Sequence, residues 1–157
     1  METNVFEELI RQFGARVGLP EMKLDDAGLC RVVLDETVNL DFELSSDAQT
    51  LYVYSSLPSI DFDVESELMK ALLSGNYALH RTCNCRFAFD ENANEFLLLE
   101  TISGNGVSLE VFDQVLQNFA RTATTWHTNC RRREFGGPPA TDTTDSSGGG
   151  DHYLPFV

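Results

Sequence analysis

The stretch VNLDFEL, Val38–Leu44, alternates without a break. Val38, Leu40, Phe42 and Leu44 fall on one side of an extended chain, and Asn39, Asp41 and Glu43 fall on the other. Successive side chains of a strand point to opposite faces, so this pattern demands a sheet with one buried and one wet face. The flanking segments agree. LCRVVLD leads into it through Glu36-Thr37, and TLYVYSSL follows after SSDAQ. Three short strands in succession predict an antiparallel meander. In the third, Leu51 and Val53 share one side while Tyr52 and Tyr54 take the other. A tyrosine pair on the less buried face either packs under a loop or lines a binding surface.

Helical periodicity brackets the strands. In NVFEELIRQFGARVG, Phe6, Leu9, Ile10, Phe13 and Val17 recur at helical spacing, opposite Glu7, Glu8, Arg11 and Gln12. Asn4 with Glu7 reads as a capping pair, and Gly18-Leu19-Pro20 as a stop. A second helix, in SIDFDVESELMKALLSGN, starts near Asp63, and Gly75-Asn76 read as the punctuation of its end. Its apolar positions Leu68, Met69, Leu72 and Leu73 spread over more than one face. Burial on two sides is expected, by the chain's own sheet and by a second copy of the chain.

Two further strands, CRFAFD and EFLLLETI, flank the turn ENAN. Ser108 then caps a long last helix whose apolar positions Leu109, Phe112, Leu116, Phe119, Ala123, Trp126 and Cys130 step by three and four. Arg131, Arg132 and Arg133 close it, where positive charge favours the helix end. The expected fold is α+β: a twisted antiparallel five-stranded sheet with three helices, in the order α-β-β-β-α-β-β-α. It occupies residues 1–133. Residues 134–157 form a flexible Gly/Pro/Ser/Thr-rich tail that ends in the aromatic and apolar peptide DHYLPFV.

A chain of 157 residues is long enough for one real core. Its 11 Lys and Arg stand against 25 Asp and Glu, a net charge of −14, which opposes binding to nucleic acid or anionic lipid. The first residues show no basic segment before an apolar run, and no run approaches the ~18 apolar residues of a membrane span. A cytoplasmic protein is expected, with its four cysteines as reduced thiols.

Those cysteines raise the question of chemistry. His80, Cys83 and Cys85 lie close together in ALHRTCNCRFAF, and WHTNC adds His127 and Cys130. As a zinc set they offer C-x-C where closed structural sites commonly use paired C-x(2–4)-C knuckles. Cys85 shares a strand face with Phe87 and Phe89, and Cys130 lies in the core stripe of the last helix. There a free cysteine serves as a small hydrophobe. A redox role lacks the C-x-x-C at a helix start that lowers a thiol pKa. Core and loop cysteines are therefore the favoured reading, and a zinc or thiol protein built on His80, Cys83, Cys85 and Cys130 is the alternative. No nucleophile elbow, P-loop or dinucleotide fingerprint is present. Neither a cofactor nor a metal is expected.

The order of elements, with ARVGLPEMKLDDAGLCRVVLD, LMKALLSGNYAL, RFAFDENANEFLLLETI and VSLEVFDQVLQNFARTATTW, resembles the class I type III secretion chaperones, the Tir chaperone or CesT family. The likeness covers about residues 5–130. It includes the LL-x-x-N at the end of the second helix and the late Trp, whereas HRTCNC replaces the family's Gly-rich step. The resemblance implies a non-enzymatic homodimer, paired through the second helix and the nearby strand, that holds the N-terminal segment of an effector in extended form for export. It places cargo contacts on Phe6, Ile10, Phe13, Val33, Phe42, Tyr52 and Tyr54, and the dimer contact on Leu68, Met69, Leu72 and Leu73. A regulator that binds another secretion component fits the same pattern. The tail peptide is expected to touch the secretion ATPase or to shield the cargo groove.

Overall fold

The computed structural model describes residues 4–59, 65–78 and 82–135. His80, Asp63 and the tail from residue 136 lie outside them. The described chain runs α1 (Val5–Arg16), β1 (Leu29–Leu34), β2 (Val38–Leu44), β3 (Thr50–Ser56), α2 (Glu65–Tyr77), β4 (Arg86–Asp90), β5 (Glu95–Ser103) and α3 (Leu109–Arg132). The strands form one sheet in the order β1-β2-β3-β5-β4, every pair antiparallel. The expected fold class and order of elements are those observed.

One face of the sheet carries the core. Val32, Leu34, Val38, Leu40, Phe42, Leu51, Val53, Leu98 and Phe87 are buried on it, under the stripes of α1 and α3. Phe13 meets Phe112 edge-on at 6.1 Å between ring centroids, which locks α1 to α3. Trp126, two turns before the end of α3, meets Phe87 of β4 at 4.6 Å. The long helix thus crosses the sheet, its start beside α1 and its end beside β4.

Asn4 and Ser108 cap their helices as expected, Asn4 Oδ1 accepting from the Phe6 N–H and Ser108 from the Val111 N–H. One expectation is corrected. Gly75 and Asn76 do not punctuate α2, which runs through them to Tyr77. Gly75 instead lets the helix approach β4, because a Cβ there would lie 2.7 Å from the Phe87 ring.

The opposite face carries Arg31, Glu43, Tyr52, Arg86 and Thr101 exposed to solvent. The strand registers line up Arg31, Asp41, Tyr54, Leu99 and Arg86 in one row across it. Asp41 departs from the wet character of its face: it is buried, and Arg31 grips it from the neighbouring strand, with Nη2 3.1 Å from Oδ2.

Candidate functional site: two edges and two grooves

A sheet with two edge strands presents two rows of main-chain donors and acceptors to whatever approaches. The edge at β4 is held by a helix side chain near its start. Asn76 of α2 lies alongside it, its Oδ1 accepting from the Phe87 N–H at 2.7 Å and its Nδ2 donating to the Phe87 carbonyl at 3.1 Å. A single side-chain amide thus satisfies both outward groups of Phe87, the second residue of the strand, as another strand would, while the alternation turns those of Phe89 outward as well.

The edge at β1 is closed at one end only. Asp25 receives the Leu29 N–H on its carboxylate at 2.9 Å and donates its own N–H to the Leu29 carbonyl at 2.8 Å. The groups of Leu29 therefore point away from β2. The alternation of an antiparallel ladder then turns those of Arg31 and Val33 outward as well. Among the described residues β2 is the one strand paired with β1.

Beside this open edge lies a groove of about 540 Å³, with Leu19, Pro20 and Met22 on one wall and Leu29, Cys30 and Val32 on the other. Its outer wall is the turn after α1. The Leu19 N–H donates to the Gly14 carbonyl at 2.7 Å, and a Cβ on Gly14 would stand 2.5 Å from the Leu19 oxygen. The turn is thereby folded tightly onto the helix. Burial pushes the Cys30 thiol above its ordinary range, so it is a half-buried apolar lining and not a ready nucleophile.

A second groove, of about 190 Å³, runs between α2 and β4 and is lined by Met69, Leu72, Leu73, Phe87, Phe89 and Phe96, among others. Leu73 is 69% exposed, Phe89 47% and Met69 43%, whereas Leu68 and Leu72 are buried. The four apolar positions of α2 thus divide into an inward and an outward pair. Phe89 and Phe96 extend the outward patch over the end of the sheet, their ring centroids 4.9 Å apart.

The seven positions expected to touch cargo divide likewise. Phe6, Ile10, Phe13 and Phe42 are packed wholly into the core, at most 1% exposed. Large apolar side chains on the helix stripe and the inner sheet face gain most by full burial, so these four support a surface without lining it. Val33, Tyr52 and Tyr54 stand on the uncovered face, Tyr52 exposed and the other two half-buried. Burial, with Asp41 beside it, raises the Tyr54 hydroxyl above its ordinary pKa.

Sequence reasoning missed the groove wall Leu19–Met22, which read as a mere helix stop. It expected the strand near α2 to share the pairing surface but did not name Phe89 and Phe96 as the residues that continue the patch. For Phe89 a signal existed, because its strand partner Phe96 places two large rings where no helix follows.

The sulfur groups do not converge. Cys85 and Cys130 are buried, Cys83 is exposed on a turn, and all four thiols are free. Burial, with the Glu100 carboxylate next to it, drives the Cys85 thiol far above its ordinary range, and burial pushes Cys130 up to about 11. His127 is also buried, and among the described residues no three His, Cys, Asp or Glu side chains gather as a metal site. Nor is any described helix long and apolar enough to cross a membrane.

Residues 8–127 match the sequence model of the Tir chaperone protein (CesT) family. The transcriptional anti-antiactivator ExsC of Pseudomonas aeruginosa is 29% identical over 124 residues, 79% of this chain and 84% of that protein. The crystal structure of the ExsC–ExsE complex superposes with a TM-score of 0.68 at 26% identity, covering 83% of this chain and 97% of the other. The chaperone–effector complex HopA1–SchA superposes at 0.62 with 16% identity, covering 79% and 94%, a likeness of fold.

Proposed function

This chain belongs to the Tir chaperone (CesT) family, and from that premise we propose that it acts as a homodimeric type III secretion chaperone that takes the N-terminal segment of an effector along the β1 edge. The observation that carries the proposal is the pairing of an open strand edge, at Arg31 and Val33, with an apolar groove directly beside it. An extended peptide added to such an edge gains main-chain hydrogen bonds, and the groove selects its side chains. Val33, Tyr52 and Tyr54 continue the surface onto the uncovered face, over a floor made by Phe42 and the stripe of α1.

Ordering an unfolded segment costs several kcal/mol, so the acceptor has to offer ample apolar area. Two copies offer it twice. The exposed Met69 and Leu73 with Phe89 form the surface for self-association, and the buried Leu68 and Leu72 fix the helix behind it. The net charge of −14 keeps so greasy an assembly soluble. The role is binding without chemistry, in the cytoplasm, with the loaded dimer handed to the secretion ATPase.

The test is capture of the tagged protein from its native lysate, followed by mass spectrometry and gel filtration. A dimer carrying secreted proteins by their N-terminal regions is expected; a monomer free of polypeptide would overturn the proposal. A second reading has one specific support: the 29% identical relative is named for opposing an antiactivator of transcription. On that reading the β1 groove holds a regulatory protein of the secretion system. Recovery of a transcriptional antiactivator in place of effectors would select it.

A further inference from the structure

We propose that residues 153–157, Tyr-Leu-Pro-Phe-Val, are a built-in occupant of the β1 groove, lying against its open edge until cargo displaces them. The regulatory consequence rests on reading this groove as the cargo site; the contact itself does not.

Three features of the molecule support it. The first is composition. Residues 136–152 are Gly, Ser, Thr, Pro, Asp, one Ala and one His, without a large aliphatic side chain, and then four of five residues are Tyr, Leu, Phe and Val. A solvated linker that ends in an apolar tag separates reach from recognition. A residue that precedes proline, as Leu154 does, favours the extended region, which lowers the entropy lost on becoming a strand, and an edge position is where a sheet admits proline.

The second is reach. The end of α3 lies on the β4 side, fixed by Trp126 against Phe87, and Phe135 packs against the core just after it. From there to β1 is the width of a five-stranded sheet, about 19 Å at ordinary strand spacing. A random coil of roughly 17 residues has a root-mean-square span of about 20–25 Å, so the number of residues between Phe135 and Tyr153 matches that width. Effective concentration is highest at such a match and falls for linkers longer than needed.

The third is the contrast between the grooves. The α2–β4 groove is lined by Phe87, the residue that fixes the last turns of α3 through Trp126, so it lies nearer the end of α3 than β1 does. Asn76 has already taken the outward groups of Phe87 there. An extended, proline-bearing segment gains main-chain bonds at β1, where the groups of Arg31 and Val33 face outward.

Cys30 supplies the test, because it lines this groove and Cys83, exposed elsewhere, serves as an internal reference. Three proteins are compared: the full chain, a chain ending at Phe135, and the full chain carrying Tyr153→Ser, Leu154→Ser and Phe156→Ser. Alkylation of each cysteine by iodoacetamide is followed by peptide mass spectrometry. At an effective concentration near 1 mM, a groove that takes the tag with ~0.1 mM affinity is filled about ten to one. Cys30 should then react roughly tenfold faster in both altered proteins, with Cys83 unchanged, and millimolar synthetic DHYLPFV should restore protection to the shortened chain. Amide hydrogen exchange at Arg31 and Val33 should accelerate in parallel. Equal Cys30 rates and equal exchange in all three proteins would overturn the proposal, as would acceleration at Leu73 and Phe89 in place of β1. A chain that shields Cys30 but captures no protein from its lysate would overturn the cargo reading and leave this one standing.

Discussion

The two edges of the sheet are built from the same kind of contact to opposite ends. At β4 a helix side chain, Asn76, holds Phe87, the second residue of the strand, by both main-chain groups, and Gly75 brings the helix close enough to do so. At β1 a loop side chain, Asp25, holds only the first residue, Leu29, and leaves the rest of the edge facing a groove. Open edges invite aggregation, and proteins commonly cover or charge them. The proposed cargo site rests on this asymmetry: one edge engaged by its own helix, the other facing an apolar groove. The helix-held edge is not idle, since the helix that holds it turns Met69 and Leu73 outward.

The largest expected effect breaks the helix-held edge. Asn76→Ala strands the N–H and carbonyl of Phe87 in a partly buried place and should cost about 2–3 kcal/mol, measured by urea denaturation. Asp25→Ala, the corresponding change at the exposed β1 turn, should cost less than about 1 kcal/mol, because water replaces the lost bonds. Equal losses would erase the asymmetry. Next comes Leu73→Glu. Leu73 is 69% exposed, so the fold should change by no more than about 0.5 kcal/mol. Self-association should weaken by about 2 kcal/mol or more, some thirtyfold, in sedimentation equilibrium. An unchanged dimer would move the interface off α2. A smaller effect sharpens the open edge: Val33→Pro removes one outward N–H at a position where an edge strand tolerates proline. Affinity for captured cargo, followed by calorimetry, should drop about fivefold to tenfold, the value of one net hydrogen bond.

The asymmetry itself was only half legible in the sequence. Strand alternation in Val38–Leu44 and the three-four stepping of α3 report which side of an element is buried, and those elements stand where the patterns put them. Periodicity reports nothing about edges. Whether a strand is flanked by another strand, a helix or solvent depends on chain segments far away, such as Asn76 reaching Phe87 across eleven residues. The pattern LL-x-x-N was visible, but its physical role appears only when the amide is seen acting as a substitute strand. The cargo positions show the same limit. A stripe such as Phe6, Ile10 and Phe13 identifies an apolar face and cannot say whether α3 or a visiting peptide covers it; here α3 does. The groove wall at Leu19–Met22 escaped because a turn has no period to read.

The smallest predicted effect concerns acid, and it belongs to the β4 side. His127 is buried near the end of α3, with the main chain of Ser56 as its hydrogen-bond acceptor; burial first, and Arg131 one turn on, hold its pKa below the usual histidine value. Stability follows the difference in bound protons between the unfolded and folded chains. Below about pH 6.5 the unfolded chain takes up a proton on this imidazole that the folded chain still refuses. The contribution of neutral His127 is therefore fully present above that pH. It declines as pH falls toward the lowered folded value, where the folded chain finally takes the proton too. Carboxylates titrate on the same descent, so the informative quantity is a difference. Between pH 7.5 and 5.5 the wild-type chain should lose more stability than His127→Gln, which keeps a donor for Ser56 but cannot ionise, the excess being at most about 1.4 kcal/mol for one pH unit below the unfolded value. Hydrogen exchange at pH 5.5 should place that extra loss on α3 and the end of β3, leaving Arg31 and Val33 as they were at neutral pH. A loss of equal size in both proteins, or one that begins at β1, would mean that the helix-held edge owes nothing to a neutral histidine behind it.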